Sequence, residues 1–531
     1  MKKILCMSAM LLILYCLFTT SAFACTGVYI GREASTDGSV IIARSNDTQG
    51  NFPQRMMVVP RVEQDPDRQM PVDNERSTSF ELPDTTFKYI GTPFMASAQL
   101  ERGTGMDDAV CINEYGVAMT MSVTAFSNKA AKTADPWVPD GITENTMNQL
   151  VISVSQSAKE AVEKLAQLID QYGSSETNIA LIIDQKEAWY VEMYNGHQYA
   201  AVKLPDDKVS VFGNEFNLEY LSDYDDCITS ENLEKLAVDN GFAVYGENGE
   251  LNLFDTYAGP ETVEDYSHMR TWIGHKVLAP SAYGDYNKDD RYPLAFSPQN
   301  RVSLQTVMEL MRNRYEGTQY SPDETGRKDM RVIGTDTSMS VHIVQLRPEL
   351  PPALAGTAWV CMAPAPYGVF VPLNIFCAEP SDSYAANQPE DRLYCFESDV
   401  YPWYTFKELN TLCLTDYKTY GAPVREYWHT AEKHMIDGMT AELEEINQLM
   451  RTDPAEAQRQ MTEYCAGLQE KAFEDGKALL NEVRWAMSAN SNTMKMGMNP
   501  ETDELYTTER VLTPITVNLD GSFYGHRQGN A

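Results

Sequence analysis

Helical and strand-like segments arrive in blocks along this chain instead of alternating as β-α-β units, which predicts an α+β fold. Three observations carry that prediction. Two β-rich runs joined by a polar turn stand near the N-terminus, strand-like runs separated by turns recur after residue 178 with only single helices between them, and from about residue 430 the periodicity becomes helical.

Taken in order, residues 1–24 are expected to be a secretory signal. Lys2 and Lys3 precede an apolar run from Ile4 to Phe18 that is too short to span a bilayer comfortably, and Ala22-Phe23-Ala24 forms an A-x-A cleavage site before Cys25. The run Thr26–Gly31, the turn Ser35–Ser39 and the run Val40–Ala43 then read as a hairpin. Asn113 with Gly116 reads as a β-turn. Ser157 opens an amphipathic helix bearing Val162, Leu165, Ile169 and Tyr172, which Gly173 closes. Strands are expected at Ile179–Ile183 and Ala188–Met193, a helix capped by Ser303, and further strands at Ser340–Leu346 and Ala358–Met362. In the C-terminal part Met439, Leu443, Ile446 and Met450 make one helical stripe and Met461, Cys465, Leu468 and Ala472 another. Asp453 caps the second of these helices, with Pro454 at its first position. The expected organisation is a leader over 1–24, one large unit over 25–430, and a helical extension over 431–531 packed on it.

Composition excludes partner classes more sharply than it selects them. The 531 residues hold 76 Asp and Glu against 42 Lys and Arg, a formal charge of -34. Such a surface lacks the cationic footprint that displaces counterions from nucleic acid, so DNA and RNA are excluded as expected partners. Loss of Lys2 and Lys3 with the leader makes the chain more acidic still. No later run approaches a membrane span, so no stable membrane association is expected after cleavage. At 43% hydrophobic residues the chain can bury a large core.

Cleavage directly before a cysteine has two chemical meanings. A lipoprotein acylates that cysteine, but Ala22 and Phe23 depart from the lipoprotein pattern, and Cys25 leads straight into a strand instead of a flexible tether. An N-terminal nucleophile instead uses its new α-amino group as the base for its own side chain. An α-amine titrates at about 7.7–8.0 and a thiol at about 8.5, so the pair can exchange a proton near neutrality without deep burial. Arg44 and Asp47, where the second hairpin strand ends, fall beside the start of the first. Arg44 suits a thiolate and Asp47 suits an ammonium, although an Arg and an Asp after a hairpin are otherwise an ordinary surface pair.

These residues resemble the dipeptidase A/secernin family of cysteine N-terminal-nucleophile hydrolases. The likeness runs through Cys25–Asp47 and continues at Asn113–Ala118, Phe212–Phe216, Met269–Trp272 with Pro280-Ser281, Tyr315–Thr318 and Gln345–Pro348, in the family's order over residues 25–430. The resemblance implies a four-layer αββα sandwich of two antiparallel sheets that hydrolyses dipeptides without metal or cofactor. Cys25 matches the nucleophile and Arg44 and Asp47 the pair that follows it. Asn214 matches an oxyanion-side asparagine, and Arg270 a distal arginine shared with penicillin V acylases and bile salt hydrolases. Two departures stand out. Asn217 and Leu218 follow Phe216 where the family often has an arginine, and Met119–Thr124 lacks the asparagine that the acylases place there, so a hydroxyl or a backbone N–H has to replace it. On its own, Asn214 reads equally as a turn residue satisfying local backbone, and Arg270 as a helix-surface ion pair.

Other motifs are absent: no G-x-S-x-G, no H-E-x-x-H, no phosphate-binding loop. Asp285, Asn287 and Asp289 begin like a calcium loop, but Asp290 and Phe296 stand where Gly and Glu belong. His268, His275 and His342 lack metal-ligand spacing. After the leader, the cysteines show no C-x-x-C pair and specify no disulfide connectivity. The sequence therefore leads to an exported, periplasmic or extracellular, thiol dipeptidase acting on small peptides, with homo-oligomers open. An amidase or acylase using the same Cys25, and a Cys25-acylated binding protein, are the alternatives.

Overall fold

The computed structural model describes residues 25–48, 51–63, 80, 82–95, 110–260, 264–327, 329–389, 392, 395–490 and separate stretches between 494 and 524. The predicted leader lies outside the described residues. In chain order the strands of the two large sheets are β1 (Thr26–Ile30), β2 (Val40–Asp47), β3 (Met57–Val59), β4 (Tyr89–Gly91), β5 (Val110–Asn113), β6 (Ala118–Thr124) and β7 (Asn178–Ile183), followed by β8 (Ala188–Met193), β9 (Tyr199–Leu204), β10 (Val209–Phe212), β11 (Cys227–Thr229), β12 (Ser338–Leu346), β13 (Gly356–Met362) and β14 (Val371–Asn374). The first sheet runs β10-β1-β2-β12-β13-β14 and the second β11-β9-β8-β7-β6-β5-β4-β3, with every pairing antiparallel.

The helices that cover them are α1 (Glu144–Ile152), α2 (Ala158–Tyr172), α3 (Asp265–Leu278), α4 (Leu304–Met311), α5 (Pro402–Cys413), α6 (Ala422–Leu449) and α7 (Pro454–Ala489). The sheets face each other through β2 against β6 and β7 and through β13 against β5. On the second sheet, the side-chain period of two sorts the strands cleanly. Ile179, Leu181, Ile183 and Tyr190 enter the core between the sheets, whereas Ala180, Ile182, Trp189 and Val191 enter a separate core with α1 and α2. Helices α3, α4, α5, α6 and α7 pack on the first sheet. The expected four layers are therefore present, and a C-terminal helical hairpin belongs to the outer layer.

Local chemistry explains the elements that the sequence announced. Ser157 Oγ accepts from the Glu160 N–H at the start of α2, and Gly173 ends it at φ 70°. Ser303 does the same for α4 through Thr306 N–H, and Asp453 for α7 through Glu456 N–H. Asn113 is structural: its Oδ1 accepts from Tyr115 and Val117 N–H, and its Nδ2 donates to the carbonyls of Ile152 and Ser155. Helix α6 begins at Ala422 and runs unbroken across residue 430.

Candidate active site

The hairpin β1–β2 sets the site. Its register pairs Thr26 with Ser45 and Gly27 with Arg44, and Cys25 stands immediately before β1. Strand β2 runs on past Ala43 to Asp47, so Arg44 and Asp47 sit on the strand itself and not beyond its end. Gly27 is required where it is, because the Phe212 ring of β10 lies 2.4 Å from the position a Cβ would take.

All five residues predicted from sequence are buried, and contacts connect them into one network. Arg44 Nη2 donates to Cys25 Sγ at 3.1 Å. Arg270, on α3, donates from Nη1 to the Cys25 carbonyl at 2.5 Å and to Thr26 Oγ1 at 3.1 Å, and from Nη2 to Asn214 Oδ1 at 2.6 Å. Its Nε bonds the Tyr266 carbonyl at 2.7 Å. The partners of this buried guanidinium are thus neutral oxygens, and burial lowers its pKa. The surface ion pair that Arg270 suggested in isolation does not form. With Oδ1 held by Arg270, the Asn214 amide nitrogen is turned to the Thr124 carbonyl at 2.6 Å. This approach of α3 to the Asn214 turn depends on Gly213, where a Cβ would stand 2.6 Å from the Ser267 carbonyl oxygen.

Asp47 works through neighbours. Its carboxylate accepts from Ser45 Oγ at 3.0 Å, from Ser338 Oγ at 2.5 Å and from Arg331 Nη2 at 3.0 Å. Ser45 in turn accepts the Thr26 N–H at 3.0 Å, tying this carboxylate to the backbone next to Cys25. Burial pushes the Cys25 thiol above its ordinary range; the Arg44 charge opposes that rise, while the charges of Asp47 and Glu144 add to it.

Several residues here were not reached from sequence. Glu144, at the start of α1, comes from the second sheet's helical layer to lie 3.9 Å from Arg44 Nη2. Arg331 and Ser338 belong to a segment some 290 residues away from Asp47, and no spacing rule joins them. Ser45 was legible in principle, since residues two apart on a strand share a face. Thr124 stands in the stretch that lacks the acylase asparagine, and its buried Oγ1 has no hydrogen-bond partner among the described residues. His342, paired across the sheet with Arg44, hydrogen-bonds Thr120 at 2.5 Å between the two sheets, and burial holds its pKa well below the ordinary value. His268 meets Glu215 and His275 two backbone carbonyls. A cavity of about 400 Å³ bordered by Glu215, Asn217, His268, Arg291 and Tyr292 opens beside the Asn214 turn, but none of the five network residues lines it.

A buried thiol held by a guanidinium, with an arginine fixing both its carbonyl and a side-chain amide, can serve nucleophilic acyl transfer. Comparison with known proteins agrees with that chemistry. Residues 24–430 match the model of peptidase family C69. A probable dipeptidase B of Streptococcus pyogenes serotype M1 is 29% identical over 476 residues, covering 86% of this chain and 92% of its own. A probable dipeptidase B of Lactococcus lactis subsp. lactis is 32% identical, covering 68% of this chain and 76% of its own. A solved mutant of a conjugated bile acid hydrolase from Clostridium perfringens aligns over 68% of this chain and 95% of its own, at 12% identity and a TM-score of 0.31, too distant to bear on the assignment. By the extent of the family match, the chain belongs to peptidase family C69.

Proposed function

We propose that this protein is an exported dipeptidase whose nucleophile is Cys25, freed as the N-terminal residue when residues 1–24 are removed. The observation that carries the reading is the Cys25–Arg44 contact together with the Arg270 bridge from the Cys25 carbonyl to Asn214. The names of the relatives and the A-x-A site before Cys25 support the substrate class and the cut. While the leader is attached, the Cys25 nitrogen is a peptide group and no base. Once cleaved it is an amine, which takes the thiol proton directly or through one water.

The thiolate attacks the scissile carbonyl, and the developing oxyanion is held by the Asn214 amide and a backbone N–H. Collapse breaks the C–N bond, the Cys25 ammonium returns its proton to the leaving amine, and a thioester remains. Water then hydrolyses the thioester, releasing the first amino acid and the thiol. Arg44 steadies the thiolate; Arg270 is a positioning residue that fixes the nucleophile's carbonyl and the orientation of Asn214. Asp47 holds the start of β1 through Ser45.

Intact mass of the exported protein should begin at an unmodified Cys25, and Cys25→Ala should abolish release of amino acids from a dipeptide panel. Full activity in that variant, or an acylated Cys25, refutes the reading.

A further inference from the structure

Three consecutive residues of the Asn214 turn are each tied to helix α3. The Gly213 N–H donates to Thr271 Oγ1 at 3.0 Å, and Arg270 holds Asn214 Oδ1. The Glu215 carboxylate accepts from the Thr271 hydroxyl on one oxygen and meets His268 Nδ1 at 2.9 Å on the other. Thr271 therefore closes a loop: the N–H before Asn214 is bonded to a hydroxyl that the carboxylate after Asn214 fixes in turn. The second ring nitrogen of His268 meets the Asp290 carbonyl at 2.9 Å. Carboxylate and carbonyl oxygens only accept, so both ring contacts are hydrogen bonds at once when the imidazole carries two protons. The pair is nearly closed off, with 6% of the His268 side chain and 4% of that of Glu215 exposed.

Building on the dipeptidase reading and on the oxyanion role of Asn214, we propose that Glu215 and His268 are positioning residues, a carboxylate–imidazolium pair that fixes the turn carrying the Asn214 amide. The surroundings of the ring favour that state. Burial lowers the pKa of His268, but the hydrogen bond and charge of Glu215, the Asp290 carbonyl and the Asp265 charge outweigh it and raise the value. His275, two turns further along α3, faces two carbonyls instead, and burial pushes its pKa down to about 4. The rings of Tyr286 and Tyr292 flank His268, and burial raises the pKa of both hydroxyls, so neither adds charge. Glu215 and His268 border the cavity beside the turn, where Lys208 and Arg291 balance Glu219 and Asp223, and this cavity opens the pair to solvent protons. Once the ring loses a proton, one of its two bonds goes and the buried carboxylate loses its charged partner. Activity that depends on the pair is therefore full below the raised pKa of His268 and declines as pH climbs through it.

The test follows amino acids released from a dipeptide by the mature enzyme as pH is varied. Wild-type kcat should fall on the alkaline side of neutrality. His268→Leu should lower kcat about tenfold, the usual worth of a hydrogen bond to a charged group, while KM and the alkylation of Cys25 by iodoacetamide change little. His268→Asn, whose amide donates to Glu215 at any pH, should recover much of that loss and abolish the alkaline fall. In an Asn214→Ala background, His268→Leu should cost nothing further, since it acts through the side chain already removed.

A wild-type kcat that stays level from pH 6 to pH 10 overturns the proposal without any variant, which covers a Leu variant that fails to fold. An alkaline fall that His268→Asn leaves in place overturns it as well. So do losses from His268→Leu and Asn214→Ala that add in full, or a parallel loss of Cys25 alkylation, which assigns the pair to the fold. Near-normal turnover in Asn214→Ala instead removes the oxyanion role and the positioning role with it. A wild type that cleaves no dipeptide removes the dipeptidase reading itself.

Discussion

At Arg270 a single side chain binds the Cys25 carbonyl, the Asn214 oxygen and the Tyr266 carbonyl from three different nitrogens. Lysine offers one ammonium in place of that planar fork, so the exchange is not conservative. Asn214→Ala should lower kcat about a hundredfold or more, the usual effect of losing an oxyanion donor. Arg270→Lys should reach a similar loss, because Asn214 is then free to turn its amide. Both are read from turnover of a dipeptide, with circular dichroism confirming the fold; near-normal turnover in Arg270→Lys removes the positioning role. Cys25 was legible from its place after an A-x-A site, and Arg44 and Asp47 from antiparallel geometry. Glu144, Arg331 and Ser338 were not, because contacts between layers have no signature in spacing. The case of Arg270 is instructive: helix α3 is buried from Ser267 to His275, so no polar face marked which of its residues points inward.

Helix α3 and strand β10 meet through small residues. Gly213 accepts the Ser267 carbonyl and Gly274 the Val211 side chain, each at a distance that forbids a Cβ. Gly213→Ala should therefore push α3 outward and cost activity far more than stability, seen as a fall in kcat with a modest drop in Tm. Equal losses in both measures would place Gly213 in the fold alone. Strand β8 carries a second dependence. Glu192, fully buried, accepts from Tyr190 and Tyr194 hydroxyls and from the Asn217 and Leu218 N–H groups that follow the Asn214 turn. Burial pushes its carboxyl up to about 7. The fold thus binds this proton more tightly than the unfolded chain does, a contribution present in full at acid pH and lost as pH rises through about 7. It amounts to at most about 3 kcal/mol. Glu192→Gln cannot titrate, so the stability difference between wild type and variant should shrink or reverse between pH 5 and pH 8 in denaturant melts. Parallel pH profiles would contradict it. The elements themselves were readable where caps and period marked them, as at Ser157, Ser303 and Asp453. Strand β2 was read as ending at Ala43, because Arg44, Ser45, Asn46 and Asp47 are polar; they continue the strand because the site buries them.

Across the whole molecule the C-terminal hairpin is bound into the first sheet's outer layer. Glu432 of α6 takes two hydrogen bonds from the buried Arg312 and one from the Phe370 N–H, and α7 lies along β14 and α5. Glu432→Ala leaves the buried Arg312 with only the half-buried Glu309 carboxylate, 3.2 Å away, and should cost up to about 3–5 kcal/mol. Calorimetry should show the loss in a single shared transition; separate melting of the hairpin would show that it is independent. The α+β class was legible from the order of segments, whereas the stacking of two sheets came only through resemblance, since no local pattern says which sheet faces which. The contacts described around Cys25 involve its side chain, its carbonyl or residues after it, and so lie beyond the 24–25 peptide bond. On the proposed maturation, cutting that bond changes one nitrogen and leaves the contacts described around Cys25 as they are. The proposal then makes residues 1–24 interchangeable with any removable leader. A chain begun as Met-Cys25, trimmed by methionine aminopeptidase in a cell that never exports it, should be as active as the exported form that the proposal describes.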